Sequence, residues 1–125
     1  MIALSPETVL RLHARMLEAT GGAAGILDEG ALHSAVLNAY ATFDGADLYP
    51  GIEDKAAATA YGIVANHPFA DGNKRTGLFA MLVLLEVNGI LLRHTQQELI
   101  DLGLGIASGI IRQKDIAQWI RSHRE

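Results

Sequence analysis

A chain of 125 residues, half of them hydrophobic and 19% charged, has the material for a single folded domain spanning residues 1–125 and is too apolar for a disordered one. Its net charge of -4 and isoelectric point near 5.7 speak against a broad nucleic-acid-binding surface, leaving room only for a local cationic site. The absence of cysteine excludes disulfides, zinc–thiolate centres and cysteine nucleophiles, and it fits a cytoplasmic protein.

The opening stretch MIALSPETVLRLH lacks the basic start and apolar core of a signal peptide and reads as the start of a folded helix. Ser5 can cap it, Pro6 suits its first position and Glu7 its first turn. Helical spacing through Val9, Leu12 and Met16 continues until Gly21-Gly22. Asp28 can cap a second helix carrying Leu32, Ala35, Val36 and Ala39. Thr42 to Gly51 reads as a polar loop, and a third helix is expected over Ile52 to Asn66.

A fourth helix follows, closed by Asn88-Gly89. Thr95 with Glu98 forms a capping box for a fifth, although Gly103, Gly105 and Gly109 weaken that segment. A sixth covers Gln113 to His123, and only Ile90 to Arg93 has any strand character. The longest apolar run, Leu78 to Val87, is broken at Glu86 and is too short for a membrane span. The expected fold is all-α, a compact bundle of about six helices around a buried central helix, the fourth.

Between the third and fourth helices stands NHPFADGNKRTG, Asn66 to Gly77. Pro68 disfavours helical geometry at His67, so the third helix should end near Asn66. His67 and Asp71 therefore cannot be an i,i+4 metal pair on one helix. Gly72 permits a tight turn, and Asn73 can cap the next helix. Lys74 and Arg75 then fall in a first helical turn, where cations are mildly unfavourable, by roughly 0.3–1 kcal/mol each.

An anion resolves the conflict. Amides around Gly72, the helix dipole and both cations would converge on a phosphate. Asp71 beside it could hold Mg²⁺ together with phosphate oxygens. His67 has the chemistry to take a proton from an incoming hydroxyl. Taken singly, each residue has an ordinary use: a structural HxxxD pair, solvated cations, a cap. Their concentration between residues 67 and 75 points to a site. It is not a Walker A loop, since GxxxxGK(S/T) is absent. Phe69 and Phe79 read as core or loop anchors. His13 and His33, on amphipathic helices, pack or face solvent; His94 lies in a turn and His123 near a helix end. None of these four is expected in the site.

HPFADGNKRTG resembles the signature of the Fic/Doc superfamily, HxFx(D/E)GNxR, which His67, Phe69, Asp71, Gly72, Asn73 and Arg75 match. Adenylylating members carry glycine at the position of Lys74 and a second arginine at that of Leu78. Lysine followed by Arg-Thr is instead similar to the Doc (death-on-curing) toxins of toxin–antitoxin pairs, whose pattern often reads DANKRT; Gly72 departs from it by a methyl group.

The resemblance implies a Fic/Doc fold and transfer of the γ-phosphate of ATP to a threonine or serine hydroxyl of a protein, elongation factor Tu in the Doc toxins, which stalls translation. It implies His67 as base, Asp71 as Mg²⁺ ligand, and Gly72, Asn73, Lys74 and Arg75 as phosphate holders. A self-inhibitory (S/T)xxxE(G/N) motif is absent, because Gly25 precedes Glu29-Gly30 where Ser or Thr is required. Restraint would then come from a separate, Phd-like antitoxin whose tail enters a groove. Two alternatives stand beside this reading: transfer of AMP to a protein hydroxyl, and a non-catalytic nucleotide-binding module. Direct nucleic-acid binding is opposed by the net charge.

Overall fold

A computed structural model describes residues 1–125. Six helices form in the expected order: α1 (Pro6–Thr20), α2 (Glu29–Leu37), α3 (Ile52–Asn66), α4 (Asn73–Val87), α5 (Gln96–Ala107) and α6 (Gln113–Ser122). Local chemistry sets most of their starts. Ser5 Oγ accepts the Thr8 N–H at 3.1 Å, and Asp28 Oδ1 accepts that of Ala31 at 3.0 Å. Thr95 and Glu98 exchange both bonds of the capping box. Gly21, at φ 76°, ends α1. No helix is long and apolar enough to cross a membrane.

The bundle is centred on α3 and α4 together, where the sequence pattern had suggested α4 alone. Helix α3 meets α2, α4, α5 and α6, and Ala56, Ala57, Ala60, Ile63 and Val64 are fully buried. Helix α4 buries Leu78, Met81, Leu84 and Leu85 but leaves Phe79 and Val87 open. The apolar sequence of α4 therefore serves two surfaces, a core and an uncovered groove.

Small residues bring α3 and α4 close. A Cβ on Gly77 would stand 2.8 Å from Val64 Cγ2 and 3.1 Å from the Ala60 carbonyl oxygen. Gly77→Val is expected to destabilise the fold by about 1–3 kcal/mol through overpacking, read as a lower urea midpoint at unchanged slope.

Three expectations are corrected here. Thr42 to Gly51 is not all loop. Thr42–Phe43 (β1) pairs antiparallel with Ala46–Asp47 (β2). Asp44 and Gly45 turn the hairpin at φ 56° and 81°, and Asp-Gly is a strong signal for such a turn. The buried Lys55 anchors its base through Asp47 Oδ2 at 3.0 Å and the Tyr49 carbonyl. Ile90 to Arg93 forms no strand; Leu92 makes a single bridge to Arg124. In α5, Gly103 and Gly105 are sites of close approach to Leu78 and Ile111, while Gly109 (φ 83°) lies beyond the helix end. Their packing offsets the helix propensity they forfeit.

Helix α6 is tied to α3 by Arg121–Asp54 at 2.7 Å and by Arg124–Glu53, and to α5 through His123 and Glu98. His123 stacks on Trp119 with centroids 4.0 Å apart, and its Nε2 lies 2.9 Å from Glu98 Oε2. The Glu98 hydrogen bond raises the His123 pKa above its usual 6.5. The Thr95 amide first, then His123, lowers Glu98 from 4.5 to about 2.

A raised histidine pKa stabilises fully below 6.5, and that contribution fades as pH rises through the folded value. A lowered glutamate pKa stabilises fully above 4.5 and fades as pH falls toward 2. Both act together between those two limits. The melting-temperature gap between wild type and Glu98→Gln should therefore be widest between pH 4.5 and 6.5 and narrow as the pH rises beyond 6.5.

Candidate functional site

The loop between α3 and α4 carries the site, and its shape begins at Pro68. Helix α3 ends at Asn66, and His67 caps it in the left-handed region at φ 48°, ψ 56°. His67 is exposed. A left-handed non-glycine residue is unusual and is held only where its surroundings fix it. Phe69, 1% exposed, drives the loop into the core. At Gly72, φ 78°, the chain turns into α4.

Asn73 does not cap α4, contrary to the expectation from sequence. The cap position is Gly72, with no side-chain bond. The Asn73 amide turns back onto Phe69 instead: its Oδ1 accepts the Phe69 N–H and its Nδ2 donates to the Phe69 carbonyl, both at 3.0 Å. Asparagine suits either role, and satisfying both polar groups of a buried backbone position wins here. The first backbone bond of α4 runs from Thr76 N to the Gly72 carbonyl at 2.9 Å. The amides of Asn73, Lys74 and Arg75 precede it and have no acceptor within the helix. Free amides at a helix start are a common setting for anions.

Asp71 is exposed, yet its carboxylate is aimed. Oδ1 accepts the Gly72 N–H at 2.8 Å and Oδ2 that of Ala23 at 3.3 Å. Gly22, φ 123°, lies so near that a Cβ there would stand 2.7 Å from Oδ2. The segment between α1 and α2 straps the motif loop along its length. Leu27 N donates to the Pro68 carbonyl at 2.8 Å, and Ala70 N to that of Gly25 at 3.1 Å. Ile26 and Phe69 form an antiparallel bridge.

Lys74 and Arg75 are exposed and in no ion pair. Arg75 Nη1 donates to Thr20 Oγ1 at the end of α1, at 3.1 Å. Both cations line a groove of about 1130 Å³ between α1, α4 and α5, floored by Met16, Leu78, Phe79, Leu82 and Ile100. Phe79, expected as an anchor, is 38% exposed and is part of this groove. His67 and Asp71 lie outside it.

Sequence reasoning set His13 aside, along with His33, His94 and His123. The structure brings His13 to the motif: buried at 5% exposure, its ring is stacked on Phe69 at 3.8 Å. Its position four residues after Val9, on the apolar stripe of α1, was the available signal. Ala23 and Thr20 gave none, since their contacts cross long stretches of sequence.

The all-α bundle thus gathers, in one loop and the helix start after it, an exposed histidine, an aspartate held by two backbone amides, free helix-start amides and two exposed cations. The chain belongs to the Fic/Doc family, whose model matches residues 3–85. It is similar to Protein kinase doc of Escherichia phage P1, 34% identical over 121 residues covering 94% of this chain and 92% of that protein. It is also similar to Toxin Doc of Mycolicibacterium smegmatis, 43% identical over 72 residues. That match takes in 58% of this chain and about half (55%) of the relative's length.

Proposed function

We propose that this protein is a Doc-type toxin that transfers the γ-phosphate of ATP to a threonine or serine hydroxyl of a cytoplasmic protein, elongation factor Tu, and so blocks translation. The observation that carries the reading is the uncapped start of α4, with free amides, Lys74 and Arg75 beside His67 and Asp71. The names of the two relatives support it.

In this reading the phosphates sit at Gly72, Asn73, Lys74 and Arg75. Asn73 contributes its backbone N–H, because its side chain is committed to Phe69. His67 accepts the proton of the target hydroxyl as that oxygen bonds to the γ-phosphorus. The bond from the γ-phosphorus to the bridging oxygen breaks, and ADP leaves. Little covalent chemistry falls to the protein beyond positioning and charge neutralisation.

A magnesium ion suits Asp71 as a single carboxylate ligand. No three His, Asp or Glu side chains converge in this fold, so phosphate oxygens and water would fill the shell, as Mg²⁺ prefers. Each Asp71 oxygen accepts one amide, which leaves lone pairs for a cation. The ion would supply charge neutralisation on the phosphates.

Lys74 and Leu78 favour phosphate over AMP transfer. Leu78 is 8% exposed and packs toward Gly103, so no second arginine faces the site from that position. A methyl group at Gly72 would meet only His13 and Leu17 atoms at 3.8 Å, but φ 78° there favours glycine over any residue with a side chain, so this position reports the turn and leaves the choice of transferred group to Lys74 and Leu78. The apolar groove with a cationic end suits the tail of a Phd-like antitoxin, an amphipathic helix with acidic residues at one end.

The test is incubation with bacterial extract and ATP labelled at the α or the γ position. Transfer of γ label alone, lost in His67→Ala, supports the reading. Transfer of α label replaces it with adenylylation, and bound ATP with neither transfer replaces it with a binding module.

A further inference from the structure

The Nε2 atom of His13 lies 2.8 Å from the carbonyl oxygen of Asp71. A carbonyl only accepts, so Nε2 carries the proton and donates. That carbonyl shares a planar trans peptide with the Gly72 N–H, and the two point in opposite directions. The same N–H donates to Asp71 Oδ1 at 2.8 Å. Fixing the carbonyl toward α1 therefore fixes the amide toward the Asp71 carboxylate. The His13 ring has a second hold, lying flat on Phe69 with centroids 3.8 Å apart and planes 6° apart. One buried side chain thus grips the loop on both sides of Ala70.

We infer that His13 is a positioning residue for the transfer reaction: it pins the Asp71–Gly72 peptide, and through it aims the Asp71 carboxylate and sets the turn at which the phosphate-holding helix begins. This rests on the function proposed above. His13 touches neither nucleotide nor target. It differs from an ordinary core residue because its only polar contact is with the backbone of Asp71, where an apolar ring of similar size would fill the same space. Displacements well under a residue's width at a transfer site lower rates strongly.

The experiment compares wild type with His13→Phe, which keeps a ring but has no donor, and His13→Gln, which keeps a donor near the same place. Transfer of γ-phosphate is measured with both variants in wild-type and Asp71→Asn backgrounds. His13→Phe should lower kcat about tenfold or more, with KM for ATP within about twofold, and His13→Gln should recover most of the loss. In the Asp71→Asn background the same substitution should cost little further, because the two act as one unit. A purely structural His13 would instead give equal losses in both backgrounds, and that result, or wild-type kcat in His13→Phe, overturns the inference.

Amide exchange at Gly72 gives a readout that needs no reaction. It should be about tenfold faster in His13→Phe than in wild type or His13→Gln. If wild type transfers nothing, the proposed function fails, and unchanged Gly72 exchange then rejects the inference on its own. Should His13→Phe not fold, His13→Asn, which is polar but too short to reach Asp71, takes its place with the same expectations.

Discussion

Replacing His67 by alanine is expected to slow phosphoryl transfer by about 10²–10⁴-fold, the usual contribution of a positioned general base, and to leave the melting temperature nearly unchanged. His67 is exposed, its backbone N–H donates to the Ile63 carbonyl, and its side chain packs into no core. Loss of rate with retained stability is the signature of a residue kept for chemistry. The measurement is kcat at saturating ATP beside a thermal melt of the same sample. A fall in melting temperature that accounts for the lost activity would show that His67 matters to the fold instead.

Phe69→Ala should have the opposite profile. Phe69 is 1% exposed, lies under the His13 ring, and is clamped by Asn73 through both backbone polar groups. Truncating a buried phenylalanine costs about 3–5 kcal/mol, with the stacked pair included in that figure. Total stability in such domains is about 5–15 kcal/mol, so the variant should unfold at a much lower urea concentration. Because Phe69 seats the loop between His67 and Asp71, transfer should also fall under conditions where the variant stays folded. Equilibrium unfolding with a parallel activity assay separates the two effects.

The sequence made the helices legible wherever a local signal set their ends. Ser5 with Pro6, Asp28, and Thr95 with Glu98 act within a few residues of themselves, and each cap forms as its chemistry requires. Pro68 likewise placed the end of α3 correctly. The candidate site was visible because its residues are contiguous, so no knowledge of tertiary contact was needed to assemble them.

What escaped was non-local, or a choice between two equally suitable partners. Asn73 could cap a helix or clamp Phe69, and only the buried backbone of Phe69 decides between them. The strap from Gly22 to Asp28 looks like a plain loop until it meets Pro68, Ala70 and Asp71, far along the sequence. Helix α4 is apolar enough to be read as fully enclosed, and nothing in its own residues reveals that Phe79 and Leu82 face an open groove. The glycines of α5 read as weaknesses because the partners they admit, Leu78 and Ile111, lie outside the helix.

In the proposed reaction a protein hydroxyl receives phosphate, with His67 as the base. Its most direct test is mass spectrometry of elongation factor Tu after incubation with this protein, ATP and Mg²⁺. One added phosphate on a threonine or serine is expected, absent with His67→Ala. An added AMP group, or phosphate that persists in His67→Ala, would contradict it.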